Sequence, residues 1–239
     1  MSKTLMKQTL KSNFVLWFVM TAIMDACLVL IVKVGMDEAA AAQAYYALLP
    51  GLFSAVYIII TANKLLAAQV DKGSMAYILS TPIRRSTVAL TQMIFFVVSL
   101  FLMFTTTAAT HIITANAVNS SCDVALVMKI NLGVFVLSLA FSGICFLASA
   151  LFNFSKYAIG VGGFFVGGFL LMKLMSTFSK ESGDMLSYMG KCTIASLNDT
   201  ASVLAGTSDY IWKFAVLAGI GLITYLIGIC AFSKKDMPL

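Results

Sequence analysis

The chain has 239 residues, of which 60% are hydrophobic and 11% charged, against about 25% charged in a soluble domain. Too few charges remain to coat a water-soluble surface, and the net charge of +6 does not point to nucleic acid, because no basic face is interleaved with base-stacking aromatics. No segment repeats the roughly ten-residue alternation of a transmembrane barrel strand, so helices, whose backbone groups pair internally, must cross the membrane.

The chain opens on an amphipathic run with Lys3, Lys7 and Lys11. It then enters a long apolar stretch with no small-residue cleavage site, so the first span is expected to be retained rather than removed as a signal. At about 20 apolar residues per crossing, spans are expected at 14–34, 45–66, 87–113, 126–150, 157–176 and 211–232. No repeat or linker interrupts them, and residues 1–239 are predicted to form a single all-α membrane domain. Asp25 lies inside the first span, where a carboxylate costs about 2.5–3.5 kcal/mol on insertion scales and must face protein or water. Two readings stand for it: a pathway residue that attracts or gates cationic cargo, or a structural hydrogen bond to a neighbouring helix.

Between the second and third spans lies LAAQVDKGSMAYILSTPIRRS, residues 66–86. It is too polar to cross a bilayer, and an amphipathic helix is expected over about 70–82. Asp71 in its first turn suits the positive end of the helix dipole. Met75, Ile78, Leu79 and Pro82 share one face, with Tyr77, Thr81 and Arg84 on another. Pro82 pushes Thr81 out of helical geometry and closes the segment. One reading is a surface-lying connector whose Arg84 and Arg85 meet anionic lipid headgroups; the other is a helix that engages a soluble partner.

His111 near the far end of the third span is the sole histidine; zinc wants three or four protein ligands, so a satisfied interfacial histidine is expected. The short 151–156 connection makes spans four and five a tight hairpin. In span five, Gly163 and Gly167 form a G-x-x-x-G pair that lets two helix backbones approach, either within the subunit or between two copies. Gly219, Gly221 and Gly228 are read as packing alone. The loop at about 177–210 is long and polar, and Met185, Leu186 and Met189 have the spacing of a short helix on the outer surface. Cys27, Cys145 and Cys230 read as small apolar fillers in spans. Cys122 and Cys192 fall in outer loops, where an oxidising compartment permits a disulfide, although sequence does not fix the Cα separation it requires.

Six spans put both termini on one side. If that side is cytoplasmic, ten basic residues lie inside against two acids, and six basic residues lie outside against seven acids. Arg84 and Arg85 are then both inside, as the positive-inside rule prefers.

The run from Asp71-Lys72-Gly73-Ser74-Met75-Ala76-Tyr77 through Ile78-Leu79-Ser80-Thr81-Pro82-Ile83-Arg84-Arg85 resembles the segment between the second and third spans of type-2 ABC exporter permeases. The ending Phe232-Ser233-Lys234-Lys235-Asp236-Met237-Pro238-Leu239 is similar to that family's aromatic then basic-Asp-x-Pro-Leu terminus. Ala76 departs from the pattern, since many relatives carry glutamate there. The Gly-Ser-Met-Ala-Tyr version looks like permeases of Gram-positive bacteria that export amphipathic peptides such as phenol-soluble modulins.

The resemblance implies a type-2 exporter fold in the bacterial plasma membrane, with both termini cytoplasmic. It makes the helix at about 70–82 a coupling helix seated in a groove of a cytosolic ATPase, with contacts drawn from residues 71–85 and Met75, Ile78 and Leu79 as an apolar plug. Two ATPase subunits and a second permease copy or paralogue would complete the assembly, and its cargo would be hydrophobic or amphipathic. This chain has no G-x-x-x-x-G-K-[ST] phosphate loop, so it is expected to bind no cofactor itself. ATP and Mg would sit on the partner ATPase, and the chain is a permease rather than an enzyme. The alternatives are a channel or ion-coupled transporter, which would normally want paired intramembrane charges or broken helices in an inverted repeat, and a non-transporting subunit of a membrane complex.

Overall fold

The structure, a computed structural model, describes residues 3–34, 38–79, 84–118, 123–177, 193–206 and 208–235. All regular structure among them is helical. In chain order the elements are α1 (Lys3–Lys33), α2 (Glu38–Tyr46), α3 (Leu49–Leu65), α4 (Ala67–Asp71), α5 (Ser74–Leu79), α6 (Arg85–Ala117), α7 (Val124–Leu151) and α8 (Ser155–Thr177). A 3-10 turn (Ile194–Leu197), α9 (Thr200–Leu204) and α10 (Asp209–Lys234) follow. Six stretches are long and apolar enough to cross a bilayer: α1, the run α2–α4, α6, α7, α8 and α10. The chain thus has the architecture of a multi-pass helical membrane protein. The second crossing departs from the expected 45–66, because the apolar run extends over Ala40–Asp71. It breaks at Ala47 and Leu48, with Pro50 in the first turn of α3, where the missing N–H costs nothing.

Helices α3, α6 and α7 form an inner group, with α7 the most enclosed. Each outer helix lies in a groove between two inner ones: α1 against α6 and α3, α8 against α7 and α3, α10 against α7 and α6. Lipid offers no hydrophobic gain for helix association, so small residues and hydroxyls carry the packing. Ser54 and Ser138 join α3 to α7 at 3.0 Å. Tyr57 donates to Ser99 of α6 at 2.9 Å, and Tyr225 donates to Ser142 of α7 at 2.7 Å. Helices α7 and α10 touch backbone to backbone where Gly143 faces Gly221: a Cβ on Gly143 would overlap Thr224 Oγ1 and lie 2.8 Å from the Gly221 carbonyl.

Gly163 and Gly167 behave differently from the close-approach reading within the subunit. A Cβ on Gly163 would come no nearer than 4.0 Å to Ile59, and one on Gly167 would meet nothing within 4 Å. The intimate glycine crossing is therefore at Gly143 and Gly221, while the G-x-x-x-G pair of α8 makes no close approach to the other described residues.

Helices α1 and α6 run parallel and are stitched at three levels. Thr9 donates to Gln92 Oε1 at 3.1 Å, the Trp17 indole to the Ser99 carbonyl at 2.9 Å, and Thr107 to Asp25 Oδ1 at 3.0 Å. Both helices begin at the end of the bundle where α10 finishes, here termed basal; the opposite end is distal.

At the distal end Asp123 caps α7 through the N–H groups of Ala125 and Leu126. The described part of the last loop folds back on the bundle. Asp199 caps α9 through Ser202 N at 3.1 Å and meets Lys213 Nζ at 2.7 Å. Lys173 of α8 donates to the Asn198 carbonyl at 3.2 Å. Partial burial raises the Asp199 carboxyl, but hydrogen bonds from Lys213 and Ser202 outweigh it and hold the group at about 2. A depressed carboxylate stabilises the fold above its ordinary pKa, and that contribution fades as pH falls through the folded value. The thermal midpoint of the purified chain is therefore expected to drop between pH 4 and about pH 2 by more than that of Asp199→Asn. Because the pair is partly exposed, the difference will be worth under about 1 kcal/mol. Cys122, Cys192, Met185, Leu186 and Met189 lie outside the described residues; Cys27, Cys145 and Cys230 are free thiols.

Candidate functional site

The segment between the second and third crossings leaves the basal end in two pieces. The run breaks first at Leu66, whose backbone sits at φ −129°, ψ −65°. The break takes the Ala67 N–H out of the α3 ladder, and the buried Ser149 hydroxyl of α7 accepts it at 2.9 Å. It breaks again at Gly73, whose φ of +71° is a left-handed conformation that glycine adopts without a Cβ penalty. Gly73 N bonds the Val70 carbonyl at 3.0 Å, which closes α4, and α5 begins at Ser74.

This geometry corrects the expected helix over 70–82 in two respects. Asp71 is the last residue of α4 rather than an acid in the first turn of the amphipathic helix. Its carboxylate instead reaches the first N–H of α8, accepting from Ser155 N at 3.2 Å. It still serves a helix N-terminus, but that of another span. Met75 is only 1% exposed and belongs to the core, so it packs inward and is not part of an outward plug. Tyr77 is 82% exposed and, among the described side chains of α5, is a large aromatic presented outward.

Lys72 and Ser74 are exposed, and Ser74 Oγ donates back to the Gln69 carbonyl at 3.1 Å. Ile78 and Leu79 lie in α5, but their side chains are outside what is described, as are Thr81 and Pro82. Arg84 is exposed at the N-cap position of α6.

Arg85 faces the chain rather than a lipid surface. Its guanidinium donates to the Lys235 carbonyl at 2.7 Å, and Lys235 Nζ donates to the carbonyls of Ala150 and Phe152 at 2.9 and 2.8 Å. A cation at the C-terminus of α7 meets orphan carbonyls and the negative end of the helix dipole. Burial lowers the Lys235 ammonium to about 8. The basal end is thus a connected polar layer in which Ser149, Asp71, Ser155, Lys235 and Arg85 join the starts or ends of five helices. The sequence places Arg85 in the 71–85 run and Lys235 in the C-terminal ending, but it does not pair the two. Ser149 and Ser155 carried no signal, because their partners lie 82 and 84 residues away.

In the distal half, Asp25 accepts from the Thr107 hydroxyl of α6 at 3.0 Å. The geometry is that of a helix-to-helix hydrogen bond, one of its two expected roles. Beside it Tyr45 donates to the Met24 carbonyl at 3.1 Å, and Tyr46 meets His111 Nδ1 at 3.1 Å. His111 is 2% exposed and hydrogen-bonded. Among the described residues no three His, Cys, Asp or Glu side chains converge as a metal site.

Comparison with protein-family models and with curated proteins finds no match for this chain.

Proposed function

We propose that the chain is the membrane-spanning permease subunit of an ATP-binding cassette exporter, moving a hydrophobic or amphipathic substrate across the bacterial plasma membrane. The proposal places both termini and the basal polar layer in the cytoplasm. The observation that carries it is the α4–Gly73–α5 segment. It is anchored to two other spans through Ser149 and Ser155 and offers Tyr77 outward, as a segment pushed by a cytosolic partner must. In this reading the partner is a dimer of ATPase subunits holding ATP and Mg. Tyr77, Lys72 and Arg84 face it, Asp71 and Arg85 hold the segment to the bundle, and Gly73 supplies the turn between its two pieces. A second permease copy or paralogue completes the assembly, and the open face of α8 around Gly163 and Gly167 suits that contact, because small residues let helix backbones approach.

The deciding experiment is affinity purification of the tagged chain from its native membrane in mild detergent, with mass spectrometry of what comes with it. The expected result is recovery of a P-loop ATPase in roughly equal amount. Recovery of the chain without any ATPase, together with gradient-driven transport by the reconstituted chain alone, would instead favour a channel or ion-coupled transporter.

A further inference from the structure

A groove of about 490 Å³ runs between the distal halves of α6 and α7. Asn131 of α7 ties its two walls, donating Nδ2 to the Phe104 carbonyl at 2.8 Å. At the deeper end Phe135 meets Phe101 and Phe104 edge-on, at ring separations of 5.9 and 6.1 Å. Nearer the distal end the small side chains of Ala108 and Ala109 leave the slot open. Phe101, Met128 and Leu132 are exposed along it, so in a bilayer the groove opens on acyl chains.

One charged side chain lines it, Lys129. Helix α7 has 28 residues, which span about 42 Å at a rise of about 1.5 Å each, against about 30 Å of hydrocarbon. Dividing the surplus equally leaves about four residues outside at each end, which brings the hydrocarbon boundary to Met128 and Lys129. The groove thus starts at headgroup level with an exposed lysine at its mouth. It descends about 9 Å along α7 to Phe135.

Two other distal lysines are already engaged: Lys213 pairs with Asp199 at 2.7 Å, and Lys173 donates to the Asn198 carbonyl at 3.2 Å. Lys129 has no ion-pair partner among the described residues. The carboxylate of Asp123, the acid nearest to it in sequence, caps the start of α7.

Volume and charge together select an occupant. Six carbons fill roughly 150 Å³ of apolar cavity, so this groove takes about twenty, which is one long acyl chain and not two. A neighbouring helix, about 10 Å across, is too wide to enter a slot of that volume. A lysine at this depth lays its stem on apolar surface and lifts its ammonium to the headgroup plane. There an anionic headgroup offsets its charge, whereas a zwitterionic one brings no net charge to do so.

We propose that the α6–α7 groove binds an anionic phospholipid of the distal leaflet, with one acyl chain lying over Phe101 and Phe135 and the phosphate paired with Lys129. The site requires that the chain cross a bilayer and is independent of the exporter reading.

The test uses the unmutated chain in dioleoylphosphatidylcholine vesicles. These carry a trace of phosphatidylglycerol or of phosphatidylcholine, each with the same mid-chain diazirine. After irradiation, peptide mapping reads labelling at Phe101, Leu132 and Phe135 relative to the exposed Leu222 and Ile223 of α10. The phosphatidylglycerol probe is expected to label the groove about fivefold more than the phosphatidylcholine probe, the scale of one basic side chain at an anionic headgroup. Lys129→Gln should bring that ratio to about one, and Lys129→Arg should keep it. Lys33→Gln, at the end of α1 and outside the groove lining, should leave it unchanged. Equal labelling by the two probes in the unmutated chain would reduce the groove to a general lipid-tail slot and overturn the proposal. So would a ratio that survives Lys129→Gln, or a groove that neither probe labels. The probes are compared on the unmutated chain, so the result does not depend on how a variant folds. No ATPase takes part, so failure here and failure of the exporter reading are told apart.

Discussion

Tyr77→Asp is expected to leave the chain folded and inserted while lowering substrate-stimulated ATP hydrolysis of the assembled complex by at least tenfold. Tyr77 is 82% exposed, so an acid there costs the isolated chain little. A large aromatic at the centre of a partner contact is the kind of residue whose loss exceeds about 2 kcal/mol, which is more than tenfold in an equilibrium constant. Met75→Asp should behave in the opposite way. Its side chain is 1% exposed in the core, and a carboxylate buried without a partner destabilises by several kcal/mol. That variant should be poorly recovered from the membrane, whatever its partners. The pair is read by yield and thermal midpoint of the purified chain, and by hydrolysis in the complex. Normal stimulation in a well-folded Tyr77→Asp complex would remove α5 from the proposed interface.

Gly143→Val is expected to be the most damaging single substitution in the membrane core. Its first carbon already overlaps Thr224 Oγ1 and presses on the Gly221 carbonyl. A backbone cannot turn aside as a side chain does, so the cost should reach the upper end of overpacking penalties, about 3 kcal/mol or more. Gly167→Val is the matched control. It adds the same volume to a position with nothing within 4 Å, so the isolated chain should change by less than about 0.5 kcal/mol. Thermal or denaturant unfolding of both purified variants tests the contrast. Similar losses in the two would mean that the α7–α10 crossing is not the close contact. A silent Gly167→Val in the isolated chain that disperses a dimer in the membrane would assign the α8 glycines to a second copy.

The crossings were legible from composition, because about 20 apolar residues in a row leave lipid as the solvent. Their ends were less so. Nothing in Leu65-Leu66-Ala67-Ala68 signals a break, since all four are good helix formers; the interruption follows from where Ser149 sits on a helix more than eighty residues later. Periodicity grouped Met75 apart from Tyr77 correctly, yet it does not say which of two faces meets the bundle. The spacing of Gly163 and Gly167 was visible as a motif, whereas Gly143 and Gly221 become partners only once α7 and α10 are placed side by side. Asp71 was recognised as serving a helix dipole, but the dipole it serves begins at Ser155.

The two interruptions at Leu66 and Gly73 have a mechanical meaning. An unbroken helix resists bending, because each degree of tilt strains a ladder of carbonyl-to-amide bonds. Here those bonds are already surrendered at both joints, and a rotatable serine hydroxyl replaces one of them. The five-residue α4 is therefore a stiff link with a pivot at either end. If the exporter reading holds, a push on α5 would swing this link at little elastic cost and reach the first turn of α8 through Asp71.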